Sequence, residues 1–166
     1  MNKYYFLIFL ILSIIIKAQG NFVQINGKTN INSFKCANDS FHFSAGVLQE
    51  NSLPPNINLK VSEFDCGNRI ITKDFQKTLE ADKFPVMSIR FLGLTKTQNS
   101  YTAVVEVKMM NHSKKYNIEF DLEKNKLLGK RKVKFSDFDI EPPRRMGGMI
   151  VVKDDLDLAF SLAVQN

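Results

Sequence analysis

Residues 116–123 read YNIEFDLE. Tyr116, Ile118, Phe120 and Leu122 alternate without a break with Asn117, Glu119, Asp121 and Glu123. A period of two places the apolar side chains on one face of a strand and the polar ones on the other, so one face is buried and one is wet. The preceding run repeats the pattern. Tyr101, Ala103, Val105, Val107 and Met109 share a face, with Thr102, Glu106 and Lys108 opposite. Asn111-His112-Ser113 between them has turn composition. This is an antiparallel hairpin, and the rest of the chain extends it in both directions.

Toward the C-terminus, 123–126 is a turn and 127–135 a strand with a basic outer face. Ser136-Asp137-Phe138 predicts a helical turn, 141–148 a loop, and the closing strand carries Leu156, Leu158, Phe160, Leu162 and Val164 on one face. Toward the N-terminus, Gln98-Asn99-Ser100 is a turn, and Met87, Ile89 and Phe91 oppose Ser88, Arg90 and Leu92. Ile57, Leu59 and Val61 alternate with Asn58, Lys60 and Ser62, behind a break at Pro54-Pro55. Residues 30–37 and 40–48 predict a hairpin around Asn38-Asp39, with Phe41, Phe43, Ala45 and Val47 on one face. Residues 22–26 form a short first strand that Gly27 ends.

These are about eight strands joined mostly by short turns, which favours an up-and-down antiparallel sheet, and closure into a barrel removes its edges. Eight strands enclose a space that side chains fill or that holds one small ligand; periodicity does not choose between the two.

One stretch departs from this period. Residues 68–85, NRIITKDFQKTLEADKFP, place Ile71, Phe75 and Leu79 four apart, on one face of an α-helix. Thr72 is a candidate cap, Asp74 is expected in the first turn, and Pro85 ends the segment. A single short helix among antiparallel strands packs over one end of the sheet.

Residues 1–18 read as a signal peptide: Lys3, an apolar run over 6–16 broken only by Ser13, then Ala18 before Gln19. The run is short for a membrane span and Lys17 follows it. The expectation is a periplasmic or secreted protein of one domain, residues 19–166, a natural size for a single core. The leader carries two lysines and no acid, so its removal lowers the net charge from +6 to +4. That balance does not imply a nucleic-acid partner. The chain has 14 Phe and no Trp, so most of its aromatic surface carries no polar group to satisfy.

The two cysteines, Cys36 and Cys66, are an even pair in an exported chain and favour a disulfide over two buried thiols. Without a local histidine cluster they make no zinc site. The two histidines are His42, on the face opposite Phe41 and Phe43, and His112, in a turn; neither has a nucleophile at a telling spacing. There is no metalloprotease helix motif, glycine-rich phosphate loop or nucleophile elbow. The residues select no catalytic group and no cofactor. Lys124, Lys126, Lys130, Arg131, Lys132 and Lys134, with Arg144 and Arg145, form a basic run. It reads as a solvated hairpin or as a surface for anionic lipid head groups or an acidic partner.

Four segments together resemble the YceI-like family of exported bacterial proteins, over nearly all of 19–166. Lys73-Asp74-Phe75 through Lys83-Phe84-Pro85 is similar to the family's Asp-Phe segment ending in an aromatic and Pro. VKMMNHSKKY, 107–116, resembles its Leu-Thr-x-x-Gly-x-Thr-Lys-Pro hairpin, and FSDFDI, 135–140, its Arg-Ser-Asp-Phe-Gly-Ile element. GGMIVVKDDLDLAFSLAV, 147–164, resembles its glycine and closing strand. Asn111 and Asp139 stand where the family favours Gly, Lys115 where it favours Pro, and Phe135 where it favours Arg.

The resemblance implies an all-β, eight-stranded antiparallel lipocalin-like barrel, one short helix capping an end, and an apolar channel that in some members binds a polyisoprenoid. On that basis the expected function is non-catalytic binding of a long apolar lipid. The inward-reading residues Phe43, Val61, Phe75, Ile89, Phe91, Val105, Ile118, Phe120, Leu158 and Phe160 are then the channel lining. The alternative is a structural or interaction domain with a filled core; an enzyme acting on a lipid-like substrate is the third class.

Overall fold

A computed structural model describes residues 20–46, 52–98 and 100–164. The leader, Val47 and Leu48 lie outside the described residues. The alternation read from the sequence becomes strands β1 (Phe22–Thr29), β2 (Ser33–Asn38), β3 (Ile57–Lys60), β4 (Val86–Lys96), β5 (Ser100–Met109), β6 (His112–Glu123), β7 (Lys126–Lys134), β8 (Arg144–Arg145) and β9 (Ile150–Ala163). All pairings between them are antiparallel, in the order β2-β1-β9-β7-β6-β5-β4-β3, with β8 attached to the start of β9. The sheet curls into the expected lipocalin-like form. In its central hairpin β5 and β6 pair from Met109↔His112 to Ser100↔Asp121. Every residue assigned to the inner face of β5 is buried, as are Tyr116, Ile118 and Phe120 on β6. Leu122 departs from the pattern. It is 44% exposed, although its cross-strand neighbour Leu127 is buried.

The chain's beginning corrects several expectations. The first hairpin joins β1 to β2, with Thr29 bonded to Asn32 at its turn, rather than 30–37 to 40–48. Residues 40–46 form no strand; an isolated parallel bridge, Ala45↔Val164, holds Phe43 and Ala45 in the core. Gly27 does not end β1. It lies opposite Phe34 in the β1–β2 register, and that ring covers the glycine so closely that a Cβ there would collide with it. Glycine in a strand marks this kind of close approach as often as a stop. Val61 leaves β3 for a 3-10 turn, Val61–Glu63, yet stays buried. The loop over 141–148 contains the short strand β8 and a 3-10 turn, Met146–Gly148. Of the family glycine positions, Asp139 does take up the left-handed backbone (φ 56°), whereas at the β5–β6 turn Met110 does so (φ 51°), not Asn111.

The helix α1 spans Arg69–Thr78. Its cap is Asn68, whose side-chain oxygen accepts from the Ile70 and Ile71 N–H groups, not Thr72. Thr72 is already within the first turn, where its hydroxyl accepts from the Cys66 N–H. Asp74 lies beyond that turn and pairs with Arg145. The helix stops well before Pro85, where Glu80 turns left-handed (φ 46°). Phe75 and Leu79 are buried and Ile71 is half-buried, so the face deduced from the four-residue spacing is the one that packs.

The ladder does not close between β2 and β3, so the curled sheet has a seam. Three kinds of bond stitch it. Ala37 and Asp65 exchange backbone hydrogen bonds, both at 2.9 Å. Asn38, fully buried, donates its amide to the Lys60 carbonyl at 3.0 Å. The disulfide Cys36–Cys66 joins β2 to the segment that enters α1. Edge polar groups that would otherwise be exposed are thereby satisfied.

Candidate functional site: an apolar cleft beneath the helix

Between α1, the β1–β2 turn and the start of β9 lies a cleft of about 370 Å³. Ile71 and Phe75 of α1 form its roof, Phe34 of β2 one wall, and Phe135, Pro143, Met146, Ile150 and Val152 much of the rest. Polar groups are few. Thr29 and Asn32 bond one another, Thr78 donates to the Asp74 carbonyl, and Asp74 pairs with Arg145 at 2.5 Å. That ion pair ties α1 to β8 across the rim. With its polar side chains already partnered, the cleft suits hydrocarbon. A hydroxyl-rich ligand would have little to replace its lost water bonds.

Of the ten residues assigned to a channel, Phe75 alone lines this cleft. All ten are buried in one core. The structure brings several into ring contact: Phe43 with Phe91 at 6.4 Å, Phe91 with Phe120 at 5.9 Å, and Phe120 with Phe160 at 5.6 Å. Phe91 faces Val105 in the β4–β5 register, and Phe120 covers Gly129. These rings form a plug across the barrel beyond the cleft. Phe75 stands apart from it, against Phe64 at 5.3 Å.

Sequence reasoning did not select Phe34, Phe135, Met146, Ile150 or Val152. Gly27 carried a signal for Phe34, since a glycine inside an alternating run points to something lying on it. The others sit in a turn, a loop and a strand start, where no period marks the inward side.

A second constellation fastens the cleft's floor. The 3-10 turn Phe135–Phe138 presents Asp137, which accepts from the Tyr116 hydroxyl at 2.7 Å and the Lys134 N–H at 3.2 Å. Lys114 adds an ion pair at 3.3 Å. Burial alone would raise the Asp137 pKa, but the bonds from Tyr116, Lys114 and Lys134 outweigh it and hold the carboxyl below its usual range. Burial, reinforced by the Asp137 carboxylate, pushes the Tyr116 hydroxyl upward, so Tyr116 remains the donor. Both arms of this contact serve the turn that places Phe135.

Of the basic run, Arg145 lines the cleft and Arg144 adjoins it in β8, whereas the residues from Lys124 to Lys134 lie elsewhere. Lys124 and Asn125 make the β6–β7 turn with left-handed backbones, and Lys130, Arg131, Lys132 and Lys134 are exposed along β7. Lys130 and Lys132 border an outer groove with Lys28, Lys35 and Lys153, where Asp155 and Asp157 offset part of the charge. His42 and His112 are exposed, and neither lines the cleft. Among the described residues no cluster of His, Cys, Asp and Glu is arranged to hold a metal.

Comparison with known proteins agrees with this architecture. The family model for the YceI-like domain matches residues 9–164. No curated protein matches the chain. Among solved structures, Burkholderia cenocepacia BcnA superposes with a TM-score of 0.68 at 15% identity, over 86% of this chain and 94% of that one. A polyisoprenoid binding domain from Saccharophagus degradans, implicated in plant cell wall breakdown, superposes with a TM-score of 0.54 at 10% identity, over the same shares of 86% and 94%. The Campylobacter jejuni YCEI protein gives 0.53 at 17% identity, over 64% of this chain and 68% of that one. At such identities the likeness is one of fold.

Proposed function

The chain belongs to the YceI-like domain family, and from that premise we propose that it is a non-catalytic, exported binding protein for a long apolar lipid, of polyisoprenoid or acyl type. One observation carries the reading: nine of the fourteen residues lining the cleft beneath α1 are apolar, and its polar side chains have partners. Its volume falls near the lower end of the range of about 300–1,000 Å³ usual for small-ligand pockets. It therefore takes one end or one segment of a chain. Each methylene buried contributes roughly 0.8 kcal/mol before ordering costs. The polyisoprenoid-binding neighbour supports this class of ligand. Export rests on the leader at 1–18, and the reading places the protein in the periplasm or outside the cell.

The ring plug favours a second reading, an interaction domain whose interior is filled. The two differ in what the purified protein carries. Native mass spectrometry followed by organic extraction is expected to show a prenyl or acyl chain bound one to one. Protein that retains no lipid, and that shows no saturable uptake of fluorescent polyprenyl or acyl probes, would establish the filled interaction domain instead.

A further inference from the structure

The mouth of the cleft is ringed by apolar side chains that the fold leaves uncovered. Ile70 on α1 is 72% exposed, Met146 66%, Met149 67% and Ile31 66%. These four come from three separate segments. Asn30 draws two of them together: its amide donates to the Met149 carbonyl at 2.9 Å, its side-chain oxygen accepts from the Val151 N–H at 3.0 Å, and its own N–H bonds the Val151 carbonyl at 3.1 Å. The two methionines flank Gly147 and Gly148, both left-handed (φ 65° and 93°), so the turn holds them out on either side. Half of the eight large apolar residues exposed among those described therefore sit around one opening. Scattered singly they would need no explanation; gathered at the rim of an apolar cleft they do.

Charge is gathered there too. Arg69, Lys73 and Lys77 are exposed along α1, and Arg144 beside the mouth on β8. Helix α1 and residues 141–150 together hold five cations against two acids, Asp74 and Glu141, and Asp74 is spent on Arg145. The two segments thus carry a net charge of +3. Aliphatic side chains set among basic ones match the boundary of an anionic bilayer, where the former enter the acyl region and the latter meet head groups.

We propose that the mouth of the cleft is a membrane-docking face, with Ile31, Ile70, Met146 and Met149 entering an anionic lipid surface and Arg69, Lys73 and Arg144 contacting its head groups. The proposal rests on the lipid-binding reading and adds a route: a chain passes from bilayer to cleft without crossing water. Flotation with vesicles of equal parts phosphatidylcholine and phosphatidylglycerol reads docking directly. Wild-type protein is expected to float with them and less with phosphatidylcholine alone. Ile31→Ser/Met149→Ser, which alters no cleft-lining residue, should lower the bound fraction about tenfold or more. Arg69→Glu/Arg144→Glu should remove the preference for anionic vesicles. A fluorescent polyprenyl analogue separates docking from holding. Delivered from cyclodextrin, it should enter the serine variant as fast as wild type; delivered from vesicles, more slowly. Wild type that ignores the vesicles, or a serine variant that floats equally well, overturns the docking face. Wild type that floats but takes up no probe from cyclodextrin overturns the lipid-binding reading and leaves the docking face standing.

Discussion

Asp137 shows how much one carboxylate can organise. It joins β6 through Tyr116 and Lys114 to the end of β7 through the Lys134 N–H, and so sets the turn from which Phe135 reaches the cleft. Its folded pKa is lowered, so its stabilising contribution is complete above the unfolded value of about 3.9 and is lost as pH falls through the folded one. Asp137→Asn is therefore expected to lower the urea midpoint at pH 7, by a margin that narrows as pH falls below about 4. A constant gap between the two across that range would mean that the bonds matter through geometry and not through charge. Phe75 is the residue where stability and binding part company. It is buried but has the cleft on one side, so Phe75→Ala should cost the lower part of the about 3–5 kcal/mol usual for such truncations. The barrel should stay folded, while a fluorescent polyprenyl analogue leaves faster, because the change loosens only the roof. Unaltered release from a folded variant would remove Phe75 from the binding surface. Phe120→Asp, by contrast, puts an unpaired charge in the ring plug and is expected to prevent folding.

Among the elements, the seam between β2 and β3 is the weakest link in the sheet, and the disulfide spans it. Closing a loop with a sequence separation of 30 residues removes unfolded-state entropy worth about 3–4 kcal/mol in the chain-entropy treatment. Cys36→Ser/Cys66→Ser should lower the thermal midpoint accordingly. It should also speed hydrogen exchange at Ala37 and Asp65 before the strands of the central hairpin, because those two amides form the isolated bridge beside the bond. Thiol titration of unreduced, denatured protein should find no free thiol, and two free thiols would contradict the bridge. The helix owes its position to this seam as well: the chain runs from Cys66 straight through Asn68, the cap, into α1. Loss of the bond should therefore loosen the roof of the cleft together with the edge strands.

For the molecule as a whole, the two basic surfaces are distinguishable. Lys130 and Lys132 on β7 border an outer groove and line no part of the cleft. Reversing both to Glu should leave a retained lipid in place, as measured by extraction and mass spectrometry, while lowering any salt-sensitive attachment to vesicles by less than reversal of Arg69 and Arg144 does. Loss of lipid from folded Lys130→Glu/Lys132→Glu would move the entrance to that side. Legible in the sequence alone are the alternation of β4 to β7 and β9, helix α1 and the face that it buries. Those features arise from side-chain period, and period is local. The interior side of the strands is legible for the same reason, which is why Ile89, Phe91, Val105, Ile118, Phe120, Leu158 and Phe160 are all buried. Local pattern could not say that four rings meet to close the barrel's middle, since Phe43, Phe91, Phe120 and Phe160 are far apart in the chain and only strand register sets their distances. Nor could it say that Phe34, Phe135, Ile150 and Val152 share a cleft with Phe75. They come from the second strand, a turn and the start of the last strand, and only the curl of the sheet and the tether from Cys36 to Cys66 bring these segments beneath the helix.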